Sequence, residues 1–317
     1  MVVPQEKRMV MYYQTKHLRD GIGLISPELM LRPTPALTDL IVAAVHLNHQ
    51  GPVLTINNWE PQDAGHDQMW EALAVTQRAG VHVLVLLGGA AVGTFARLAE
   101  DFEKHYGALR DFLTHYRLDG VDIDIEEEVE VGPVRELILR LREDFGSTFK
   151  ITMAPVAREL WAVDEVVFKG FRYRQLYREC GEEIDWFNAQ FYNGWGSLRD
   201  PGDYRRIEAV SADPDTRIVP LDKVVPIALT NEKNGDPASY VEFGRLLKTV
   251  RELRDTHGAV LRGMAGWEYF NSVVPGVDGP WQWPRQIQAA LTAEPEPVPV
   301  PVPEPVPEPG PGPVPGL

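Results

Sequence analysis

Apolar runs of strand length recur along the chain, and the stretches between them space their apolar residues three and four apart. The runs predict strands over 9–14, 40–47, 81–87, 120–125, 150–155, 186–192, 224–230 and 262–267. The intervening pattern predicts helices, most clearly over 67–79, 95–115, 133–144 and 239–255. Repeated strand–helix units imply parallel pairing, and eight of them close most naturally into a single-domain (β/α)8 TIM barrel. Runs such as LIVAAVHL and VHVLVLL are apolar on both faces. That is expected where one face meets helices and the other a filled barrel interior. An open doubly wound sheet is the competing arrangement. It usually brings a glycine-rich phosphate turn after its first strand, which this sequence lacks. The Gly88–Gly89 pair follows the third strand without a third spaced glycine, and reads as a tight turn from strand to helix.

The pattern ends near residue 293. Residues 294–317 alternate proline with valine, glutamate and glycine, and are expected to stay extended, solvated and disordered, because such a segment cannot donate a hydrogen-bond ladder or bury apolar area. The barrel is therefore assigned to 1–293. Only about thirty residues separate Thr230 from Arg262, and a predicted helix fills most of them. No room is left there for an inserted α+β domain.

Composition narrows the partners. The chain of 317 residues carries a formal charge of −15 and has no basic stripe, so phosphate backbones should repel it and nucleic acid is not an expected partner. No apolar run approaches the roughly 18 residues needed to span a bilayer, so no membrane segment is expected. The single cysteine, Cys180, excludes an intrachain disulfide and reads as a buried, inert thiol. The charged cluster Glu6, Lys7 and Arg8 precedes any apolar stretch, unlike a secretion signal. A cytoplasmic protein follows unless a leader has been removed. A monomer is expected.

The chemistry concentrates on the fourth predicted strand, LDGVDIDIEEE. Alternation places Asp122, Asp124 and Glu126 on one face and Val121, Ile123 and Ile125 on the other. Same-face neighbours lie about 6.6 Å apart along a strand, near enough for neighbouring carboxylates to be expected to share a proton. With the aliphatic residues under helices, the acids must face the barrel interior, where unpaired charge is costly. Glu126 comes last, at the C-terminal strand end where barrels of this kind hold their sites. Crowding and partial burial raise a carboxyl pKa, which suits Glu126 to donate a proton at neutral pH. Glu127 and Glu128 read as solvated charges opening the loop. His46 reads as a satisfied core histidine.

Asp119, Gly120, Asp122, Asp124 and Glu126 resemble the DGxDxDxE signature of family 18 glycoside hydrolases, the chitinases and endo-β-N-acetylglucosaminidases. QFYN at 190–193 is similar to the family's tyrosine-bearing strand, ITMAP at 151–155 to its strand ending in alanine-proline, and GMAGWEYFNS places Trp267 where the family has its floor tryptophan. The third strand departs, with Leu86 where the family often has serine before its glycine pair.

The resemblance implies retaining, substrate-assisted hydrolysis of β-1,4-linked N-acetylglucosamine, an exception to the two-carboxylate scheme of most glycosidases, and, without the α+β insertion that deepens the groove in many members, an open cleft and endo cleavage. Glu126 would be the general acid and then base. Asp124 would hold the substrate's acetamido N–H, Asp122 would share a proton with Asp124, and Tyr192 would orient the acetamido oxygen. No metal or organic cofactor is required. Trp267 would form a flat platform for a pyranose ring. Gln190 and Asn193 are taken as substrate-binding, although a polar group at the mouth can equally cap a loop. Met153, Tyr12 and Gln14 end other strands and either line the groove or pack; Met153 and Tyr12 are assigned to the groove. Trp195, Trp281 and Trp283 stay open between a sugar surface and ordinary packing.

Chitin or chito-oligosaccharide is the first substrate reading, and the core of N-linked glycans the second. Outside hydrolysis, two other classes stay open: a lectin that has kept the barrel without activity, and a metal enzyme using the three acids as ligands.

Overall fold

A computed structural model describes residues 7–16, 24–277 and 279–293. The proline-rich segment 294–317 lies outside the described residues. The strands are β1 (Arg8–Tyr13), β2 (Asp39–Leu47), β3 (Leu54–Ile56), β4 (His82–Gly88), β5 (Gly120–Asp124), β6 (Lys150–Met153), β7 (Trp186–Gln190), β8 (Val224–Leu229) and β9 (Gly263–Trp267). The helices are α1 (Asp67–Arg78), α2 (Thr94–Glu100), α3 (Phe102–His115), α4 (Val131–Phe145), α5 (Tyr173–Cys180), α6 (Gly202–Ala212), α7 (Phe243–His257) and α8 (Gln282–Thr292).

Every strand but β3 runs parallel to its neighbours, in the order β1-β9-β8-β7-β6-β5-β4-β2, and β1 pairs with β2 to close the barrel. The eight expected strands are thus all present, in a (β/α)8 TIM barrel. The connection from β8 to β9 carries α7 and short 3-10 turns, with no inserted sheet. Among the described residues, no helix is long and apolar enough to cross a membrane.

Two local features depart from the periodicity. Strand β3 pairs antiparallel with the end of β2 (His46 opposite Thr55) and builds a hairpin at the barrel rim. Three residues are too few for an alternation signal. The helix expected over 95–115 is broken at Asp101, whose backbone leaves the helical region and whose carboxylate accepts from the Lys104 N–H as an N-cap.

Two apolar layers hold the barrel. Inside lie Val10, Tyr12, Ile41, Leu84, Leu86, Trp186, Val225, Ile227 and Ala265. Outside, Val121, Ile123 and Ile125 join the larger layer between strands and helices. At the N-terminal end of the strands, Asp39 is fully buried and accepts from Arg8 Nη1 at 2.9 and 2.8 Å, and from Thr38 Oγ1 at 2.6 Å, with His82 Nδ1 at 3.1 Å. The Arg8 guanidinium also lies 3.9 Å over the Trp186 ring. This pairing closes the floor below the site. Cys180 is buried, and burial pushes its thiol up to about 11.

Candidate active site

The C-terminal strand ends open into a cavity of about 420 Å³. Its wall carries Tyr12, Asp124, Glu126, Gln190, Tyr192 and Trp267. The β5 alternation sends Asp122 deepest, and Asp122 is fully buried. Its carboxylate is ringed by donors: Tyr12 Oη at 2.8 Å, Thr152 Oγ1 at 2.5 Å and Asn188 Nδ2 at 3.0 Å. Trp186 Nε1 donates to Asn188 Oδ1 at 2.8 Å, which fixes the Asn188 amide with its NH2 toward Asp122. Burial raises the Asp122 pKa, and those three hydrogen bonds pull against it.

Asp124 is held well above the usual carboxylate range, first by burial, then by the charges of Glu126 and Asp122. Glu126 is raised as well, by burial, with hydrogen bonds from Gln190 and Asp124 opposing the shift. Asp124 and Glu126 are also hydrogen-bonded to each other. The sharing of a proton between Asp122 and Asp124 is an expectation of the resemblance; the donors Tyr12, Thr152 and Asn188 hold the Asp122 carboxylate in place for it. Gln190 Nε2 lies 3.1 Å from Asp124 Oδ1 and 3.4 Å from Glu126 Oε1, and also reaches the Ala154 carbonyl at 2.9 Å. One amide thus holds the two upper acids in register.

The Gly88–Gly89 turn has a steric reason. Both residues have positive φ (102° and 88°), and a Cβ at Gly88 would sit 2.3 Å from the Asp124 carbonyl oxygen. The Gly89 N–H donates to that same oxygen at 2.9 Å. Close approach of β4 to β5 beneath the acids is possible only without a side chain. Leu86, in place of the family's serine, packs inside the barrel and lines the cavity.

Trp267 also lines the cavity, edge-on to Tyr12 with ring centroids 5.3 Å apart. Its indole N–H donates to the Asn234 carbonyl at 3.2 Å, while Asn234 Nδ2 donates to the Trp267 carbonyl at 3.1 Å. Tyr192 is buried beside the acids, and burial together with their charges raises its pKa well above normal. Asn193 lines the cavity, but its side-chain oxygen accepts from the Asp236 N–H at 2.7 Å, so it also anchors a loop. Gln14 lines the cavity too, its backbone N–H held by Glu268 Oε2 at 3.0 Å.

Three expectations fail on geometry. Met153 is fully buried in the outer layer and does not line the cavity. Thr152 turns inward to meet Asp122, so alternation turns Met153 toward the helices. His46 is a cavity-wall residue whose Nδ1 is buried without a partner among the described residues, and burial lowers its pKa. Glu127 is not a loose surface charge: it accepts from the Gly93 and Phe95 N–H groups at 2.8 and 2.7 Å, satisfying the start of α2. Glu128 does face solvent, paired with Lys169 at 2.7 Å. Of the open tryptophans, Trp195 lines the cavity, whereas Trp283 is buried in the outer layer and Trp281 packs against it.

Thr152, Asn188 and Asn234 were not singled out from sequence. Alternation back from Gln190 reaches Asn188, and back from Ala154 reaches Thr152, so a signal existed for those two once the inward face was known. Among the described residues, no group of three or more His, Cys, Asp or Glu side chains is arranged to hold a metal ion.

Residues 8–218 match the model of glycosyl hydrolases family 18. The fold is similar to a fungal endo-β-N-acetylglucosaminidase of that family, with 36% identity and TM-score 0.78 over 90% of this chain and 98% of the other. It is equally similar to a chitinase from Aspergillus fumigatus, with 36% identity and TM-score 0.77 over 88% and 97%. A family 18 chitinase from Pseudoalteromonas aurantia shares the fold at 21% identity, with TM-score 0.70 over 90% and 100%. Among curated proteins no match was found.

Proposed function

Since the chain belongs to glycosyl hydrolase family 18, we propose that it cleaves the β-1,4 bond between two N-acetylglucosamine residues from within a chain, with retention and substrate assistance. Such a bond occurs in chitin and in the chitobiose core of N-linked glycans. The observation that carries this reading is the stack Asp122–Asp124–Glu126, with Glu126 uppermost in a cavity also walled by Tyr192 and Trp267.

In this reading the sugar to be cleaved lies on Trp267 with its acetamido group toward Asp124 and Tyr192. Glu126, whose carboxyl pKa burial raises, donates a proton to the glycosidic oxygen as the bond to the anomeric carbon breaks. The substrate's own acetamido oxygen forms the new bond to that carbon and gives an oxazolinium ion. Tyr192 orients that oxygen. Asp124, its proton passed to Asp122, accepts the acetamido N–H and balances the positive charge, while Tyr12, Thr152 and Asn188 anchor Asp122 below. Water then bonds to the anomeric carbon as the Glu126 carboxylate takes its proton, which releases the acetamido oxygen, opens the oxazolinium ring and restores the acid. Every proton is handled by side chains of this site, and no cofactor enters. The lack of an inserted domain beside the cleft supports endo cleavage.

The test compares wild type with Glu126→Gln on N-acetylglucosamine oligomers and on a high-mannose glycopeptide. Hydrolysis of either by wild type, with at least about a hundredfold loss in the variant, is expected. Sugar binding without hydrolysis by wild type would replace this reading with a lectin.

A further inference from the structure

At the opposite end of the barrel from the catalytic site, where the strands begin, lies a pocket of about 440 Å³. Arg8 from β1, His82 from β4, Arg262 just before β9 and Gln288 from α8 line it, beside Thr38 and Gly80. Strand pairing brings the two arginines together: Arg8 opposes Gly263, and the Arg8 N–H donates to the Arg262 carbonyl at 2.9 Å. The lining holds two arginines and a histidine and no carboxylate. The whole chain carries 46 acidic against 31 basic residues, so composition by itself does not supply a wall of this sign.

Arg262 is the residue that calls for a ligand. It is only 9% exposed, and its Nε and Nη1 have no hydrogen-bond partner among the described residues. Burial and then the charge of Arg8 work against its positive charge, while Asp222, Asp39 and Asp185 favour it through their charges. Two of those acids are already engaged, Asp39 by Arg8, Thr38 and His82, and Asp185 by Arg142 and the Ile151 N–H. A guanidinium held out of water without an anion beside it is costly. Arg8 turns Nη1 to Asp39 and leaves its buried Nε unpartnered too. His82 is made more basic than usual by its hydrogen bond to Asp39.

The groups left over describe the anion. A guanidinium offers its N–H groups as a planar fork that fits two oxygens of one oxyanion. Gln288 Oε1 is buried without a partner as well, and needs a donor. Inorganic phosphate meets both demands, since at neutral pH it carries charged oxygens and at least one hydroxyl. A carboxylate or a sulfate has no proton to give Gln288. We propose that this pocket is a binding site for inorganic phosphate, held by Arg262, Arg8 and Gln288, and that its occupant stabilises the barrel floor without entering catalysis. Strand starts in barrels of this kind serve stability, and the chemistry sits at the other end. Nothing here depends on which bond the catalytic site cleaves.

Phosphate binding to the full chain is followed by calorimetry for wild type, Arg262→Met and Arg262→Lys. Melting temperature is read in phosphate against chloride of equal ionic strength. Wild type is expected to bind one phosphate saturably and, at about ten times Kd, to melt about 3 °C higher. Arg262→Met should bind none. Without phosphate it should melt no lower than wild type, because an unpaired buried charge has given way to an apolar side chain. Arg262→Lys keeps the charge but not the fork, and should bind about tenfold more weakly. Hydrolysis rates should be the same in all three. A full chain with Glu294, Glu296, Glu304 and Glu308 all changed to Gln should bind phosphate as wild type does. Tighter binding there would give the pocket to those carboxylates and overturn the proposal. So would the absence of saturable binding by wild type, equal binding by Arg262→Met, or a wild-type affinity for sulfate as high as for phosphate.

Discussion

The Tyr12 hydroxyl donates to Asp122 Oδ2 at 2.8 Å across 110 residues of sequence, while the Tyr12 ring meets the edge of Trp267. One side chain from β1 thus supports both the deepest acid and the Trp267 ring.

Tyr12→Phe separates those two roles. The ring contact with Trp267 stays, and Asp122 loses one of three donors in a fully buried place. A stability loss of about 1–2 kcal/mol is expected by urea denaturation. Turnover should fall about tenfold with little change in KM, because the missing hydrogen bond acts on the acid stack and not on the platform. Unchanged kcat in a stably folded variant would show that Asp122 needs no support from β1.

Asp39 offers a contrast at the other end of the barrel. Burial alone would raise its pKa, yet hydrogen bonds from His82, Thr38 and Arg8, together with the Arg8 charge, outweigh burial and leave it lowered. A depressed folded pKa contributes stability that is present above the unfolded carboxylate pKa and lost as pH falls through the folded one. Asp39→Asn leaves Arg8 beside a neutral amide, and should cost about 3 kcal/mol at pH 7. The difference from wild type should shrink steadily below pH 4, and kcat should hold, since Asp39 lies at the end of the barrel remote from the cavity. Equal destabilisation at pH 7 and pH 3 would show that Asp39 acts through packing.

Glu159 follows β6 on a short 3-10 turn (Ala157–Leu160) and is buried, with Oε2 lacking a partner among the described residues. Burial pushes its carboxyl up to about 8; a backbone hydrogen bond from Phe168 opposes this and the charge of Glu126 adds to it. The folded chain then keeps this proton up to about pH 8, whereas the unfolded chain releases it in the usual carboxylate range. Stability must therefore fall as pH rises from the unfolded pKa to the folded one. Glu159→Gln removes that decline. Its melting temperature should match wild type near pH 4 and exceed it by about 5 °C at pH 8. A constant offset at both values would mean that Glu159 holds no proton when folded.

Much of this was legible along the chain. The period of the apolar residues determined eight parallel strands, because a strand buried on both faces must read as a short apolar run and its crossover as a helix. The alternation DxDxE determined that three acids share one face, since side-chain direction in a strand is a local property of the backbone. The close passage of β4 and β5 was marked by Gly88–Gly89 before the reason for it, the Asp124 carbonyl, was visible.

Tertiary structure decided what each of those groups meets. Alternation says that Thr152 and Met153 face opposite ways, and only the pairing of β6 with β5 says which of them turns to Asp122. His46 and Glu127 looked ordinary in sequence because their surroundings come from elsewhere: the cavity wall for one, the start of α2 for the other. The hairpin at β3 stayed hidden because three residues carry no period, yet it extends the barrel rim from the end of β2. The protonation of the acids was set by burial and by donors 30, 66 and 110 residues distant. Such partners are chosen by barrel closure and strand register, and these are properties of the assembled chain that no local window contains.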